Sequence, residues 1–335
     1  MAAEDRRPPF YLGIDLGGTN VKSGVVDDSG RPVSSESVET NAAAGPDAGV
    51  RTLAEAGRLA VKAAGLTWSE ISAVGLGSPG TMNIHTGMLL NPPNLPGWND
   101  FPIRDRLTAI LGKPVAFQND GNAAAYGEYW AGAGRGAQSL VMFTLGTGIG
   151  CGIVDHGRIV EGRHSHGGEC GHLIIQMQGG REHPPGFFGR LEAYASATAL
   201  VKRASEALDA GEVSSLTQAR AEGHLTARAV DLAAHAGDAL AKRLMSETAR
   251  YLAVGATNLM HTIDPDIVLF GGGMIAAGPP FLDEIRAEIR RIAFPVPAAQ
   301  TRIEYAELGG DAGFIGAAGC ARMAFGLPAS LASPF

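Results

Sequence analysis

The sequence predicts an α/β protein with two domains. Two glycine-rich turns, at residues 12–20 and 144–152, each join a pair of short apolar runs typical of β-strands. Around them, further strand-like runs alternate with amphipathic helical segments. The chain has 335 residues, 45% of them hydrophobic. Because a single core stops growing near ~250 to 300 residues, this length favours two cores.

The first hundred residues follow a pattern of strands, a helix and another strand. The segments 11–16 and 21–27 flank the first turn and predict an antiparallel pair, and 33–40 predicts a third strand. Apolar residues at helical spacing predict a helix over 46–64. A buried strand is expected at 71–77, leading into Ser78-Pro79-Gly80.

The remainder repeats this alternation. The proline-rich segment 91–98 predicts a loop. Beyond it, strands are expected at 115–118, 138–145, 150–154 and 267–270, and helices at 122–131, within 192–261, and at 313–325.

Composition and charge argue against several classes of partner. With 27 basic and 34 acidic residues the net charge is -7, and no basic stripe follows a nucleic-acid backbone, so no nucleic-acid partner is expected. The first residues lack an apolar signal core and no run approaches the ~18 apolar residues of a membrane span, so we expect a cytoplasmic protein without a membrane partner. The cysteines, Cys151, Cys170 and Cys320, form no C-x-x-C pair. Reduced thiols are therefore expected.

The two glycine-rich turns predict a paired phosphate clamp. In the first, Asp15 precedes Gly17 and Gly18, and Thr19 and Asn20 add side-chain donors. Glycine lets backbone N–H groups converge on phosphate oxygens. The second turn has the same glycine-rich arrangement but contains no carboxylate. Either turn alone is equally compatible with an ordinary hairpin.

The segment Phe117-Gln-Asn-Asp-Gly-Asn122 supplies a candidate catalytic centre. Asp120 comes at the end of a predicted strand and opens a helix. A carboxylate in that place can accept the proton of an attacking hydroxyl, so Asp120 is our candidate general base. The alternative is that Asp120 only caps the helix.

These motifs together resemble the ROK sugar kinases, a branch of the actin-like ATPase superfamily that includes bacterial glucokinases. The resemblance runs from about Tyr11 to Ala324. It is most specific over 145–172, where the family spacing is met by Gly148, Gly150, Gly152, Gly162, Gly168, Gly171 and His172.

The resemblance implies a two-lobed actin-like ATPase (ribonuclease H-like) fold, with nucleotide and sugar in the interdomain cleft. A small α/β domain, 1–118, would be joined by the C-terminal helix, 311–335, and a larger α/β domain would span 119–310. The family is commonly dimeric, so a homodimer is expected.

The resemblance also assigns roles to individual residues. Asp15 would orient magnesium through water, since Mg²⁺ prefers carboxylate and phosphate oxygens. Residues matching the sugar site are Gly80, Asn94, Asn119, Asp120, Glu169, His172 and Glu192. Residues matching the nucleotide site are Asp15, Gly17, Gly18, Thr19, Asn20, Lys22, Thr147, Gly148, Gly271, Gly272 and Gly273.

Several of these residues have a purely structural alternative. Asn94 could be an ordinary turn residue, Glu192 an acid at a helix N-terminus, and His172 a structural histidine. The glycines 271–273 could form a tightly packed turn after a strand.

One departure from the family concerns zinc. Relatives carry C-x-C-G-x-x-G-C-x-E, whose cysteines and a histidine hold a structural zinc. Here the stretch is His183-Pro-Pro-Gly-Phe-Phe-Gly-Arg-Leu-Glu192, which places His183, Pro185 and Arg190 at the cysteine positions. Proline and arginine cannot ligate zinc in that role, so no structural zinc is expected. We expect Phe187 and Phe188 to anchor the loop by burial. A remnant metal site at His172 and His183 stays an alternative.

The function implied is an ATP-dependent hexose kinase that uses Mg²⁺, with glucose as the leading acceptor at its 6-hydroxyl. Within enzymes, N-acetylmannosamine, fructose or allose could replace glucose, and polyphosphate could replace ATP. From other classes, a sugar-sensing regulator without a DNA-binding domain and a non-sugar actin-like ATPase remain alternatives. The spacing Glu169-x-Gly-His172 argues against the latter.

Overall fold

The computed structural model describes residues 7–92 and 95–326. The chain forms two compact units. The first combines the chain up to Gly136 with Gly152–Gly168 and the chain from Glu307 onward, and the second combines Ala137–Cys151 with Glu169–Ala306.

The strands are short, mostly three to eight residues. In chain order they are β1 (Phe10–Leu16), β2 (Asn20–Val26), β3 (Glu36–Glu39), β4 (Ile71–Ser78), β5 (Thr81–Asn83), β6 (Met88–Asn91), β7 (Val115–Asn119), β8 (Ser139–Leu145), β9 (Ile149–Asp155), β10 (Arg158–Ile159), β11 (Ile267–Gly271) and β12 (Arg302–Tyr305).

The helices range from four to 25 residues. They are α1 (Pro46–Ala63), α2 (Ile103–Leu111), α3 (Asp120–Ala131), α4 (Glu192–Ala195), α5 (Ala197–Asp209), α6 (Leu216–Ala221), α7 (Ala227–His235), α8 (Ala239–Ile263), α9 (Pro279–Ile292), α10 (Pro295–Gln300) and α11 (Ala312–Phe325).

The first unit is built on a sheet of order β3-β2-β1-β4-β7. β1 and β2 form an antiparallel hairpin, whereas β4 runs parallel to both β1 and β7. In register, Asp15 lies opposite Gly77, and Gly77 lies opposite Gln118. The carboxyl ends of three parallel strands therefore meet at one edge of the sheet, where α/β proteins commonly bind ligands.

Two layers of helix cover this sheet. The amphipathic helices α1 and α2 pack into the core on one side, through residues such as Leu53 and Leu107. α11 packs against β1, β4 and α3. The approach is close: a Cβ built on Gly75 of β4 would overlap the carbonyl oxygen of Ala317. Glycine is therefore required there for α11 to lie against the sheet.

In the second unit, β8, β11 and β12 lie side by side, with β11 parallel to both β8 and β12. Phe143 and Phe270 stack on one face with ring centroids 5.6 Å apart. The long helix α8 packs against α5, α7 and α9. Asp238 caps α8 by accepting a hydrogen bond from the N–H of Ala241.

Most elements predicted from the sequence are confirmed, with their ends within three residues of the predicted positions. The helical stretch 192–261 divides into α4 to α8. The β5–β6 hairpin, the strands β10 and β12 and the helices α2, α9 and α10 were not predicted from the sequence. It placed the domain boundary at residue 118. In the structure α3 packs against α11 and belongs to the first unit.

Candidate active site

In the first unit, Asp15 and Asp120 lie at the same edge of the sheet. A Cβ built on Gly77, between them, would lie 3.6 Å from Asp15 Oδ1 and 3.9 Å from Asp120 Cα. Burial, and next the negative charge of Asp120, raise the pKa of Asp15 to about 7, and Lys22 opposes this increase. The two carboxylates are therefore electrostatically coupled.

Capping does not account for Asp120. The N-cap of α3 is Asn119, whose Oδ1 accepts hydrogen bonds from the N–H groups of Gly121 at 2.9 Å and Asn122 at 3.2 Å. Asp120 is the first helical residue, and its Oδ1 accepts from the Gly121 N–H at 2.8 Å. The helix start thus fixes the backbone on both sides of the Asp120 carboxylate.

Two residues that the sequence analysis missed support this helix start. Gln118 is buried, and its Oε1 accepts from the Asn119 N–H at 2.8 Å and from Asn122 Nδ2 at 3.1 Å. Its Nε2 donates to Glu161 Oε1 at 2.8 Å. The partner of Gln118 lies 43 residues further along the chain. Sequence spacing alone gives no signal for such a pair.

The first glycine-rich turn is an exposed hairpin. Its ends are joined by the Gly17 N–H, which donates to Asn20 O at 3.0 Å, and Gly18, Thr19 and Asn20 are exposed. Buried Thr40 supports the turn by donating its hydroxyl to Gly17 O at 2.7 Å. The hairpin alternative is thus realised in geometry, and it leaves the tip accessible to a ligand.

Lys22 lies beside the start of α11. Its Nζ donates to Gly310 O at 3.0 Å and lies 3.4 Å from Asp311 Oδ1. Gly80 adopts a left-handed conformation (φ 91°) and packs against Pro92. Asn94, expected in the sugar site, lies outside the described residues.

In the second unit, the structure brings Glu169 and His172 together. A single helical turn over Cys170–His172 places His172 Nε2 3.9 Å from Glu169 Oε2. Both side chains are partly exposed, at 47% and 39% respectively. They are therefore accessible to a polar ligand.

Glu192 contacts the second glycine-rich turn. Its Oε2 accepts a hydrogen bond from the Ile149 N–H at 2.7 Å, and a Cβ built on Gly148 would overlap the same oxygen. Although Glu192 is the first residue of α4, its carboxylate contacts the 146–149 turn. The interpretation of Glu192 as a helix-end charge alone is therefore insufficient.

The segment that replaces the cysteine motif lies against these residues. His183 Nε2 lies 3.2 Å from Glu192 Oε1, and Arg190 Nη1 lies 3.3 Å from His172 Nδ1. The expectation that Phe187 and Phe188 are buried is wrong, since their side chains are 48% and 57% exposed. Phe187 instead stacks beneath the Arg190 guanidinium, whose carbon lies 3.8 Å from the ring centroid. A cation above an aromatic face stabilises an exposed ring without burying it.

A pocket of about 160 Å³ opens beside the second glycine-rich turn, at Gly146 and Thr147. Thr147 and Gly273, both predicted to belong to the nucleotide site, line this pocket, whereas the apolar walls supplied by α5, α7 and α8 were not predicted from the sequence. The lining residues are Leu145, Gly146, Thr147, Ala197, Leu200, Ala227, Arg228, Asp231, Met245, Gly273, Met274, Ala276 and Ala277. Apolar helix residues of this kind resemble core positions in a sequence, which is why no signal marked them.

The glycines after β11 differ in their surroundings. Gly272 has φ 83°, and a Cβ on it would lie 2.5 Å from Leu145 O, so tight packing explains this glycine. Gly271 is buried within β11. A Cβ on Gly273 would meet no atom of the described residues within 4 Å, and Gly273 lines the pocket. The packed-turn alternative therefore holds for Gly272, whereas Gly273 faces open space.

Within 7–92 and 95–326, no three or more His, Cys, Asp or Glu side chains are grouped so that they could hold a metal ion. None of the helices in the same ranges is long and apolar enough to cross a membrane.

Comparison with known proteins decides the family. The ROK family model matches residues 11–323, nearly the whole chain. The protein belongs to the ROK family. A glucokinase of Halalkalibacterium halodurans is 36% identical over 308 residues, which cover 92% of this chain and 93% of the relative.

Solved structures of ROK proteins share the fold. A ROK hexokinase from Thermus thermophilus superposes with a TM-score of 0.81 at 34% identity, covering 94% of this chain and 98% of the hexokinase. A ROK glucokinase from Streptomyces griseus, in complex with glucose and AMPPNP, has a TM-score of 0.76 at 32% identity, covering 93% and 99%. The chain is thus a ROK sugar kinase with an actin-like α/β fold, and the predicted family and fold class are confirmed.

Proposed function

We propose that this ROK kinase is an ATP-dependent glucokinase that transfers the γ-phosphoryl group to the 6-hydroxyl of glucose, with Asp120 as general base. The observation that carries the proposal is the start of helix α3, directly after strand β7. Asn119 supplies the cap, and Asp120 lies near Asp15, whose pKa its charge raises, at the carboxyl edge of three parallel strands. The glucokinase relatives support glucose as the acceptor.

The proposed chemistry is a single displacement. As the sugar oxygen attacks, a bond forms between O6 and the γ-phosphorus, the bridging bond between that phosphorus and the ADP oxygen breaks, and the hydroxyl proton passes to Asp120. Asn119 holds the backbone of the base by capping α3. A fixed carboxylate reduces the reorganisation needed for proton transfer.

Sugar recognition is assigned to Glu169, His172 and Glu192, with Asn94, Asn119 and the backbone of Gly80. Carboxylates accept from sugar hydroxyls, and a histidine can either donate or accept. Glu169 lies close to His172, Gly171 between them packs against Ile149, and Ile149 donates to Glu192, which supports assigning these residues to one site within the second unit.

The nucleotide is assigned to two turns. Gly17, Gly18, Thr19, Asn20 and Lys22 are proposed to face phosphates in the first unit. In the second unit, Thr147 and Gly148 are proposed to face phosphates, and the glycines 271–273 are proposed to lie beside adenosine, with the adenine ring in the 160 Å³ pocket. The mainly apolar wall of that pocket suits a flat heteroaromatic ring.

The residues present also fit magnesium. Asp15 and Asp120 are two coupled carboxylates at one sheet edge, and repulsion between them favours binding of a divalent cation. We assign Asp15 to orient Mg²⁺ through water. When bound, the ion neutralises charge on the phosphate oxygens.

A coupled assay of ADP formation across a panel of sugars tests the proposal. Glucose is expected to give a higher kcat/KM than N-acetylmannosamine, N-acetylglucosamine, fructose or allose, with slow ATP hydrolysis in the absence of sugar. Polyphosphate in place of ATP forms the donor control. A higher kcat/KM with an acetamido sugar would contradict the glucose assignment, and ATP use unaffected by every sugar would contradict the kinase mechanism. Gel filtration would test the expected homodimer.

A further inference from the structure

Arg190 lies beside His172 because two backbone segments pair. Leu191 N–H donates to Leu173 O at 2.8 Å, and Arg190 forms a β-bridge with Ile174. In this antiparallel pairing Arg190 lies opposite Ile174, so His172, two residues earlier on the same face, is its diagonal neighbour and lies within reach of the long arginine side chain. The contact between Arg190 and His172 is therefore set by the backbone.

The guanidinium of Arg190 is held on two sides. Its Nη1 lies 3.3 Å from His172 Nδ1, and its carbon lies 3.8 Å from the ring centroid of Phe187. Phe187 is itself fixed by a turn, in which the His183 N–H donates to Phe187 O at 2.8 Å and the Phe187 N–H donates to Pro184 O at 3.0 Å. A flat cation stacked on an aromatic ring is restricted in orientation.

This contact determines which nitrogen of His172 carries the proton. A guanidinium has donors only and stays charged, so in this hydrogen bond His172 Nδ1 must be the acceptor. The neutral imidazole then carries its proton on Nε2. His172 Nε2 lies 3.9 Å from Glu169 Oε2. A donor and an acceptor thus stand side by side, which matches a hydroxyl group, because a hydroxyl both donates and accepts.

We propose that Arg190 is a positioning residue of the sugar site, which holds His172 as the Nε2–H tautomer so that it donates to a sugar hydroxyl beside Glu169. This rests on the proposed function, in which His172 and Glu169 bind the sugar. The guanidinium acts through His172 and needs no metal ion to orient the imidazole.

Glucose binding and steady-state kinetics of Arg190→Ala provide the first test. Loss of one positioned hydrogen bond is expected to weaken glucose binding, measured by calorimetry, and to raise the glucose KM by about fivefold to tenfold. The ATP KM should change less than twofold. Arg190→Lys keeps a donor but cannot stack on Phe187, so it should recover part of the loss.

Arg181→Ala is the matched control. Arg181 belongs to the same segment, but it pairs with Glu206, its Nη2 lying 2.7 Å from both carboxylate oxygens. Loss of this arginine should leave the glucose KM within twofold of wild type. An equal rise in both alanine variants would show that the segment acts only through its stability, and would overturn the proposal.

Nitrogen NMR of the His172 ring reports its tautomer directly, which a loss of protein stability alone would not change. In the neutral imidazole, the wild type and Arg190→Lys should show the Nε2–H tautomer, and Arg190→Ala should show a mixture of tautomers. An unchanged tautomer and an unchanged glucose KM in Arg190→Ala would contradict the proposal.

His172→Ala separates this proposal from the proposed function. If His172→Ala leaves glucose binding unchanged, the assignment of the sugar site fails. If His172→Ala weakens glucose binding at least tenfold but Arg190→Ala does not weaken it, the sugar site stands and the role of Arg190 fails.

Discussion

The Glu192 carboxylate accepts a hydrogen bond from the backbone N–H of Ile149 at 2.7 Å. This contact joins a residue proposed to bind sugar to a turn proposed to bind phosphate, within one unit of the protein. The same oxygen lies where a side chain at position 148 would begin. Glycine at 148 is therefore a requirement of the Glu192 contact.

Gly148→Ala should lower kcat/KM for glucose by about tenfold or more, because the new methyl group displaces Glu192 and the Ile149 hydrogen bond is lost. A double-mutant cycle with Glu192→Ala measures this dependence. The double variant should be no worse than Glu192→Ala alone. If the two losses multiply, overlap with Glu192 is not the cause of the defect.

Asp238→Ala should destabilise the second unit by about 1–2 kcal/mol, the usual cost of a lost N-cap. Asp238 accepts from the Ala241 N–H at 2.9 Å and from the Ser215 N–H at 2.7 Å, and from the hydroxyls of Ser214 and Ser215. Urea unfolding followed by circular dichroism measures the loss. Asp238→Asn, which keeps a capping oxygen, is the control and should lose less.

The same aspartate predicts a pH dependence of stability. Burial alone would raise the pKa of Asp238, but hydrogen bonds from Ala241, Ser215 and Ser214 outweigh it and lower the pKa to about 2. A lowered pKa stabilises the fold above the unfolded value of 3.8, and this contribution is lost as the pH falls from there to about 2. Wild type should lose its stability advantage over Asp238→Asn across that interval. A constant difference would contradict the charged cap.

Elemental analysis should find far less than one zinc per chain, and chelator treatment followed by Mg²⁺ should restore full activity. Proline and arginine at positions 185 and 190 cannot supply zinc ligands. The triple variant H183C/P185C/R190C is a positive control for zinc uptake. Stoichiometric zinc in the wild type would show that another donor completes a site.

Local patterns predicted much of the fold. The short apolar runs around Gly17 and Gly148 predicted both strand pairs, because short, continuously buried strands bounded by turn residues are visible in the sequence. The hairpin β5–β6 and the strand β12 were missed. These strands are only three or four residues long, and β12 has a mostly polar composition. Such short segments show no recognisable hydrophobic pattern.

Residues of the candidate site could be predicted where their role shows in the adjacent sequence. Asp120 follows a strand and opens a helix, which its neighbours reveal. The partners that hold the site are distant in sequence, such as Glu161 for Gln118 and Arg190 for His172. The exposure of Phe187 could not be predicted from residue type alone. An aromatic residue favours burial, whereas here the neighbouring Arg190 guanidinium stabilises the ring at the surface.

Turnover of Asp120→Asn tests the account most directly. Asparagine keeps the shape of the side chain but cannot accept the hydroxyl proton, so kcat for glucose phosphorylation should fall by about two or more orders of magnitude. Glucose affinity measured by calorimetry should stay within a few fold of wild type, and circular dichroism should be unchanged. A folded Asp120→Asn enzyme that retains half of the wild-type kcat would contradict Asp120 as the general base.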